Sequence, residues 1–353
     1  MNKDSHLLPS TNGSYVIVCL TDVQEYPTEV ESLDNRVKWV RNVTSSSPHV
    51  CGNQLIIKDL CVTRYNDILC MDSTRVRLKA RRDYDDYIHA SWITMPDNQK
   101  YICTQGPIAD TVEDFWHMVF TEKSNVIVML CNFVEGEVIP IKLTGRAVEG
   151  HTLLGNHEKC FPYFCGDVDV PATYGRLYTI TTVQCYEPDP SGFIVHKLLK
   201  VEVLTFWQDV ISNFFLRDQA FFQAKFSGVS TKVHHLAYGG WPDHIAPSTP
   251  LPTVVLLKLA RILCGGNPIT VHCSAGIGRT ATFVGIDYAV QKIIKNANTS
   301  MIDVLKDLRN QRLHAIQSAI QYTFLHVCII EVFIEVSLWP LKPMPISVLI
   351  PYN

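Results

Sequence analysis

Long apolar runs are missing from this chain. No stretch of its 353 residues approaches the ~18 consecutive apolar positions that a membrane-spanning helix needs. Tyr15–Leu20 is apolar but short, and Val327–Val336 is broken by Glu331 and Glu335, which suits the last helix of a domain. The N-terminus has no charged-then-apolar leader, so the chain reads as cytoplasmic. A surplus of charge of one sign is also absent. The 31 Lys and Arg against 34 Asp and Glu leave a net charge of −3, with no global pull towards nucleic acid or an anionic membrane. The 12 cysteines include no Cys-x-x-Cys pair, and Cys160 and Cys165 have no histidines at zinc-site spacing. That pattern argues against a metal or other cofactor and for free thiols in reducing surroundings. What remains is 47% hydrophobic content over a length that can bury one large core.

One short stretch carries most of the chemistry. Residues 271–280 read Val-His-Cys-Ser-Ala-Gly-Ile-Gly-Arg-Thr. Before it, Ile269-Thr270-Val271 is a β-branched run suited to a buried strand; after it, Phe283, Ile286, Val290 and Ile293 recur at helical spacing. The spacing predicts a loop from a strand into a helix N-terminus, where backbone N–H groups and the helix dipole favour an anion. A free thiol is largely protonated at neutral pH, but such surroundings favour the thiolate, which makes Cys273 a candidate nucleophile. Small residues at Ala275, Gly276 and Gly278 let the backbone from Ser274 through Ile277 approach phosphate oxygens. Arg279 supplies a planar, always-charged fork for two of those oxygens. Upstream, Trp241-Pro242-Asp243-His244 offers a carboxylic acid, Asp243, to protonate a leaving oxygen and then act as base towards water. Gly239-Gly240 before it reads as a hinge for a mobile lid.

With these strings in hand, the chain resembles the catalytic domain of the protein tyrosine phosphatases, in their phosphotyrosine-specific and non-receptor-like branch. Thr63–Ile68 with Asp72–Val76, Asp86–Ala90, Tyr101–Pro107, Asp114-Phe115-Trp116 and Arg309–Arg312 leading to Ile316–Tyr322 are further strings of that family in the family's order. The resemblance covers residues 35–337, and His89 with Tyr101–Pro107 looks most like the nematode-type branch. It implies a cysteinyl-phosphate intermediate on Cys273, with Asp243 as general acid and then base. Gln321, helped by Gln317, would position water. His272 would help hold the thiolate, and Thr280 would donate to the sulfur as it leaves. Tyr65 would stack on the substrate ring, and Asp67 would bond its peptide backbone. Glu135 and Lys159 resemble the ends of a charged loop beside the closed site. The implied partners are phosphotyrosine-containing proteins. The alternative is a pseudo-phosphatase that binds phosphotyrosine with little turnover.

Three positions depart from the family pattern. Ile245 stands where glycine is usual after the lid aspartate, and a β-branched residue resists the φ values of a glycine, which predicts altered lid closure. His314 stands where some members carry glycine and would narrow the mouth. Ala281 replaces a commoner glycine and is tolerated early in a helix. Around the domain, residues 1–34 read as an irregular lead-in and 338–353 as a Pro-containing tail. Residues 136–158 and 205–230 read as insertions, the second rich in phenylalanine and a candidate partner surface against the plainer reading of a packed helical flap. The basic run Arg75–Arg82 reads as a strand with one wet face, or as an attractor of acidic phosphopeptides. Helices are expected around Val254–Ile262, Thr282–Ile294, Met301–Leu308 and Gln321–Val336, with strands between. The class is α/β (α+β), one domain with helices covering a sheet; the resemblance implies a highly twisted mixed sheet.

Overall fold

A computed structural model describes residues 62–65, 67–81, 85–140, 151–204 and 226–338, together with the backbone of strands at 5–9 and 15–19. In chain order the elements are β1 (Ser5–Pro9), β2 (Tyr15–Cys19), β3 (Arg75–Arg77), β4 (Tyr87–Thr94), β5 (Lys100–Thr104), α1 (Val112–Thr121), β6 (Val126–Met129), β7 (Val134–Pro140), β8 (His151–Glu158), β9 (Pro171–Tyr174), β10 (Tyr178–Cys185), β11 (Ile194–Val203), β12 (Ser230–Tyr238), α2 (Leu251–Cys264), β13 (Ile269–His272), α3 (Arg279–Lys295), α4 (Met301–Arg309) and α5 (Ala319–Leu338). Nine strands form one sheet in the order β3-β4-β5-β13-β6-β12-β11-β10-β9. Its centre is parallel: β13 runs parallel to β5 and to β6, and β6 runs parallel to β12. The flanks are antiparallel. The sheet is therefore mixed, as the class reading expected.

The parallel centre dictates sequence. A strand covered by helices on both faces has no wet side and reads as a continuous apolar run. Ile269–His272 and Val126–Met129 are buried at every position. The carboxyl ends of β5, β6, β12 and β13 share one edge, which is where open α/β sheets place their sites.

The helices extend beyond their apolar stripes. α2 begins at Leu251 with a proline in its first turn and ends where Gly265 takes a left-handed φ of 54°. α3 begins inside the cysteine loop, at Arg279, and is buried without a break from Arg279 to Val290. Periodicity misses that start because Arg279 and Thr280 are buried for reasons other than hydrophobicity.

Several expectations change. The lead-in 1–34 holds a two-stranded antiparallel hairpin, β1 with β2. The segment 136–158 belongs to a second hairpin, β7 with β8, whose residues 141–150 lie outside the described residues. Of 205–230, residues 205–225 lie outside the described residues. Phe226 packs edge-on against Phe120 of α1 with ring centroids 5.7 Å apart, so that aromatic is core rather than partner surface. The tail from residue 339 also lies outside the described residues. The basic run is a three-residue strand rather than a long wet one. Arg75 pairs with the buried Asp86 at 3.0 Å, and Arg81 with Asp114 at 2.9 Å. Those cations are neutralised within the domain.

Candidate active site

The loop after β13 closes around its own sulfur. The Gly276 N–H donates to Cys273 Sγ at 3.3 Å. Gly276 has a φ of 73°, and a Cβ there would overlap the Thr104 carbonyl, so only glycine fits. Ser274, Gly276, Ile277 and Gly278 are buried, and Ala275 is half-buried. From the end of β5, Gly106 approaches so closely that its N–H donates to the Ser274 carbonyl at 2.9 Å.

Arg279 is almost wholly buried, and its fork is held from outside the loop. Nη1 and Nη2 donate to the two carboxylate oxygens of Glu135 at 2.7 and 3.1 Å. Nη1 also donates to the Trp241 carbonyl at 3.0 Å, and Nη2 to Asp243 Oδ1 at 3.1 Å. Two buried donors of the loop are left over: Arg279 Nε and Thr280 Oγ1 have no hydrogen-bond partner. Buried polar groups are rarely orphaned, and a pair of them beside an anion-binding loop suits an oxyanion ligand.

Asp243 is held by two cations. Its Oδ2 accepts from Lys159 Nζ at 2.9 Å while Oδ1 accepts from Arg279. Burial pushes its carboxyl up, but Arg279, Lys159 and His244 outweigh burial and leave it below the usual carboxylate range. The lid turn is closed by the Trp241 indole N–H on the Ile245 carbonyl at 3.0 Å, and tied across the site by the Ser318 hydroxyl on the His244 carbonyl at 3.1 Å. Ile245 does not take a positive φ; His244, at 59°, does. The expected strain at Ile245 is therefore absent, and the left-handed residue is the histidine before it.

The remaining expected residues distribute around the loop. The Gln321 side chain is buried and accepts from the Gln317 N–H at 3.3 Å, and both glutamine amides lie about where a side chain on Gly278 would project. The Tyr65 hydroxyl shares a hydrogen bond with Ser274 Oγ at 2.9 Å. Asp67 is exposed, and its charge acts on His314. Burial lowers the His314 imidazole below its ordinary value, with Arg309 adding to this and Asp67 opposing. His314 and Ile316 take φ values of 59° and 61°, so this loop carries left-handed residues that are not glycine.

His272 differs from expectation. Its Nδ1 lies 3.2 Å from the Cys273 carbonyl and its Nε2 lies 2.8 Å from the Tyr163 hydroxyl, which in turn meets His235 Nε2 at 2.7 Å. The tautomer that satisfies this chain has Nδ1–H donating to the carbonyl and Nε2 accepting from Tyr163. Burial holds the imidazole down to about 4, so His272 is neutral and orients the Cys273 backbone rather than lending it a positive charge.

Two contributors escaped the sequence. Arg312 is fully buried behind the loop, donating from Nε to the Gly276 carbonyl at 3.1 Å and from Nη2 to the Ala275 carbonyl at 3.2 Å. Tyr163 links His272 of β13 to His235 of β12, two strands with β6 between them. Arg312 ends the Arg309–Arg312 string and Tyr163 follows Lys159 by four residues, but no spacing rule assigns either side chain its buried contacts.

A sequence model described as Protein-tyrosine phosphatase matches residues 60–331. Human tyrosine-protein phosphatase non-receptor type 20 is 30% identical over 269 residues, covering 76% of this chain and 54% of that protein. The mouse non-receptor type 18 protein is 32% identical over 304 residues, covering 83% of this chain and 57% of that one. The chain thus spans about half the length of these curated relatives. Among solved structures, the catalytic domain of the human type 18 protein superposes with a TM-score of 0.62 at 27% identity, covering 85% of this chain and 94% of that one. PTPN18 bound to a HER2 phosphopeptide gives 0.63 at 28% identity, covering 89% and 98%. None of these relatives bears on the nematode-type branch.

Proposed function

The chain belongs to the protein-tyrosine phosphatase family, and on that premise we propose that it hydrolyses phosphotyrosine in proteins through a cysteinyl-phosphate. The observation that carries this reading is a single guanidinium. Arg279 sits in the loop of the candidate nucleophile and grips the carboxylate of the candidate acid at 3.1 Å. In the first step Cys273 Sγ attacks phosphorus, the bond to the tyrosyl oxygen breaks, and Asp243 gives that oxygen its proton. In the second, water held by Gln321 and Gln317 loses a proton to Asp243 and attacks phosphorus. The sulfur–phosphorus bond then breaks, inorganic phosphate leaves, and the Thr280 hydroxyl meets the departing sulfur. Arg279 and the loop N–H groups bind the phosphoryl oxygens throughout. No metal or other cofactor enters these steps.

Tyr65 supports the substrate class. An aromatic wall hydrogen-bonded to Ser274 deepens the cleft, so a long phosphotyrosine reaches the sulfur and a short phosphoserine does not. The test is turnover of matched phosphotyrosine, phosphoserine and phosphothreonine peptides. Phosphotyrosine-only hydrolysis is expected; equal rates on all three would overturn the reading, and binding of phosphotyrosine without turnover would favour a pseudo-phosphatase. Among the described residues no helix is long and apolar enough to cross a membrane, and the non-receptor relatives support a cytoplasmic site of action.

Asp243 sets the pH dependence. Its lowered folded-state value means that the pairing with Arg279 and Lys159 is present above the ordinary carboxylate range and is lost as pH falls through the folded value. The free enzyme at neutral pH therefore holds an ionised Asp243. Proton donation requires the phosphate dianion to take over Arg279 and push the carboxyl up. Asp243→Asn is expected to lower kcat by roughly 10²- to 10³-fold and to remove the alkaline limb of the kcat profile. A limb unchanged in the variant assigns the acid elsewhere.

A further inference from the structure

Behind the phosphate loop lies a buried cation without a carboxylate. The Arg312 side chain is fully buried, and all five of its N–H donors are used. Nε donates to the Gly276 carbonyl at 3.1 Å; Nη2 donates to the Ala275 carbonyl at 3.2 Å and to His89 Nδ1 at 3.1 Å; Nη1 donates to Ser91 Oγ at 3.2 Å and to Cys70 Sγ at 3.0 Å. Among the described residues none of these acceptors is a carboxylate. His89 cannot balance the charge, because its Nε2–H is spent on the Ile68 carbonyl at 3.0 Å and its Nδ1 accepts from Arg312. Cys70 Sγ, by contrast, receives two donors, Arg312 Nη1 and the Ser91 hydroxyl at 3.8 Å. A buried guanidinium needs an anion, and this sulfur is the acceptor that can become one.

We propose that Cys70 is a second thiolate, the counter-ion of Arg312, and that it acts as a positioning residue for the phosphate loop. The path to the reacting atoms is short. A trans peptide points its C=O and N–H in opposite directions. Arg312 holds the Ala275 and Gly276 carbonyls outward, so the N–H groups of Gly276 and Ile277 turn inward. The Gly276 N–H does meet Cys273 Sγ. Cys70 fixes the guanidinium from its far end, and with it the inward aim of those donors.

The titratable and charged groups facing Cys70 are Arg312 and His89. Burial pushes its thiol up, and the Arg312 guanidinium with the Ser91 hydroxyl draws it down; the neutral His89 ring adds no charge of its own. At Cys103, where no guanidinium hydrogen-bonds the sulfur, burial outweighs the more distant Arg312 and pushes the thiol up to about 12.

The experiment counts thiolates where the catalytic one has been removed, so it does not depend on the proposed phosphatase activity. In the Cys273→Ser protein, ultraviolet thiolate absorbance is followed from mild acid to neutral pH. A signal that titrates below neutrality and disappears in Cys273→Ser/Cys70→Ser is expected. No such signal, or one that survives Cys70→Ser, overturns the proposal. If the double variant fails to fold, Cys70→Asp in the otherwise native enzyme decides, because it restores the anion. Cys70→Ser is expected to lower kcat roughly tenfold with KM little changed, through misaligned donors, and Cys70→Asp to recover most of the loss. Equal rates in the serine and aspartate variants would mean that the charge does not matter.

Discussion

Cys273→Ser is expected to reduce turnover of a phosphotyrosine peptide by roughly 10⁵-fold or more while leaving peptide affinity within a few-fold. The magnitude follows from what surrounds the sulfur. The sulfur sits in a loop whose Gly276 N–H donates to it, at the N-terminus of the helix that carries Arg279. A serine hydroxyl ionises far less readily and would need an adjacent base. The nearest imidazole cannot serve. His272 Nδ1 is committed to the Cys273 carbonyl and Nε2 to the Tyr163 hydroxyl. Binding survives because Arg279 and the loop backbone are untouched. Rapid-quench single turnover with labelled peptide, beside fluorescence binding, separates the two quantities. Residual turnover within a hundredfold of the parent would place the nucleophile elsewhere.

Arg279→Lys is expected to cost roughly 10³- to 10⁴-fold in kcat/KM, despite keeping the charge. The reason is the fork. Glu135 grips Nη1 and Nη2 with both oxygens, which locks the guanidinium plane, and the unpartnered Nε stays available beside the loop. A lysine presents a point charge with no plane to lock. It would answer Glu135 or the phosphate, but not both in a fixed orientation. The Trp241 carbonyl and Asp243 would also lose their shared donor, so the lid would be held less firmly over the site. Comparing the variant with Glu135→Gln tests the argument: the loss should be smaller there, because the fork remains and only its clamp weakens. Equal losses in the two variants would indicate that orientation, and not phosphate contact, is the whole effect.

The chemistry of the loop was legible in the sequence because its residues are adjacent. Cys273, Gly276, Gly278 and Arg279 sit within seven positions, and spacing constrains their geometry directly. Asp243 was legible because proline and tryptophan mark its turn. Glu135 and Lys159 also came together as expected, the first on Arg279 and the second on Asp243. They do so at the base of the β7–β8 hairpin, whose pairing the sequence did not reveal. Arg312 stood in a recognised string, but its contacts, those of Tyr163 and the neutral state of His272 were not legible. Each depends on which side chains meet across strands distant in sequence, and a buried polar network leaves no periodic trace. Ile245 shows the opposite error. A glycine at that position in related chains suggests left-handed backbone there, whereas the turn places that conformation one residue earlier, at His244.

The parallel centre of the sheet also bears on how the domain comes into being. The sulfur follows β13, the clamp carboxylate follows β6, the acid follows β12 and the buttressing Gly106 follows β5. Parallel neighbours can pair only after long stretches of chain have been brought together, so these junctions are among the entropically costly closures of the fold. β13 must insert between β5 and β6, strands whose residues precede it by more than a hundred positions. A growing chain on the ribosome therefore carries the lid acid and the clamp well before the nucleophile exists. No partially folded species lacking β13 can present the thiolate in its anion-binding loop, and reactivity of the sulfur arrives together with the completed sheet.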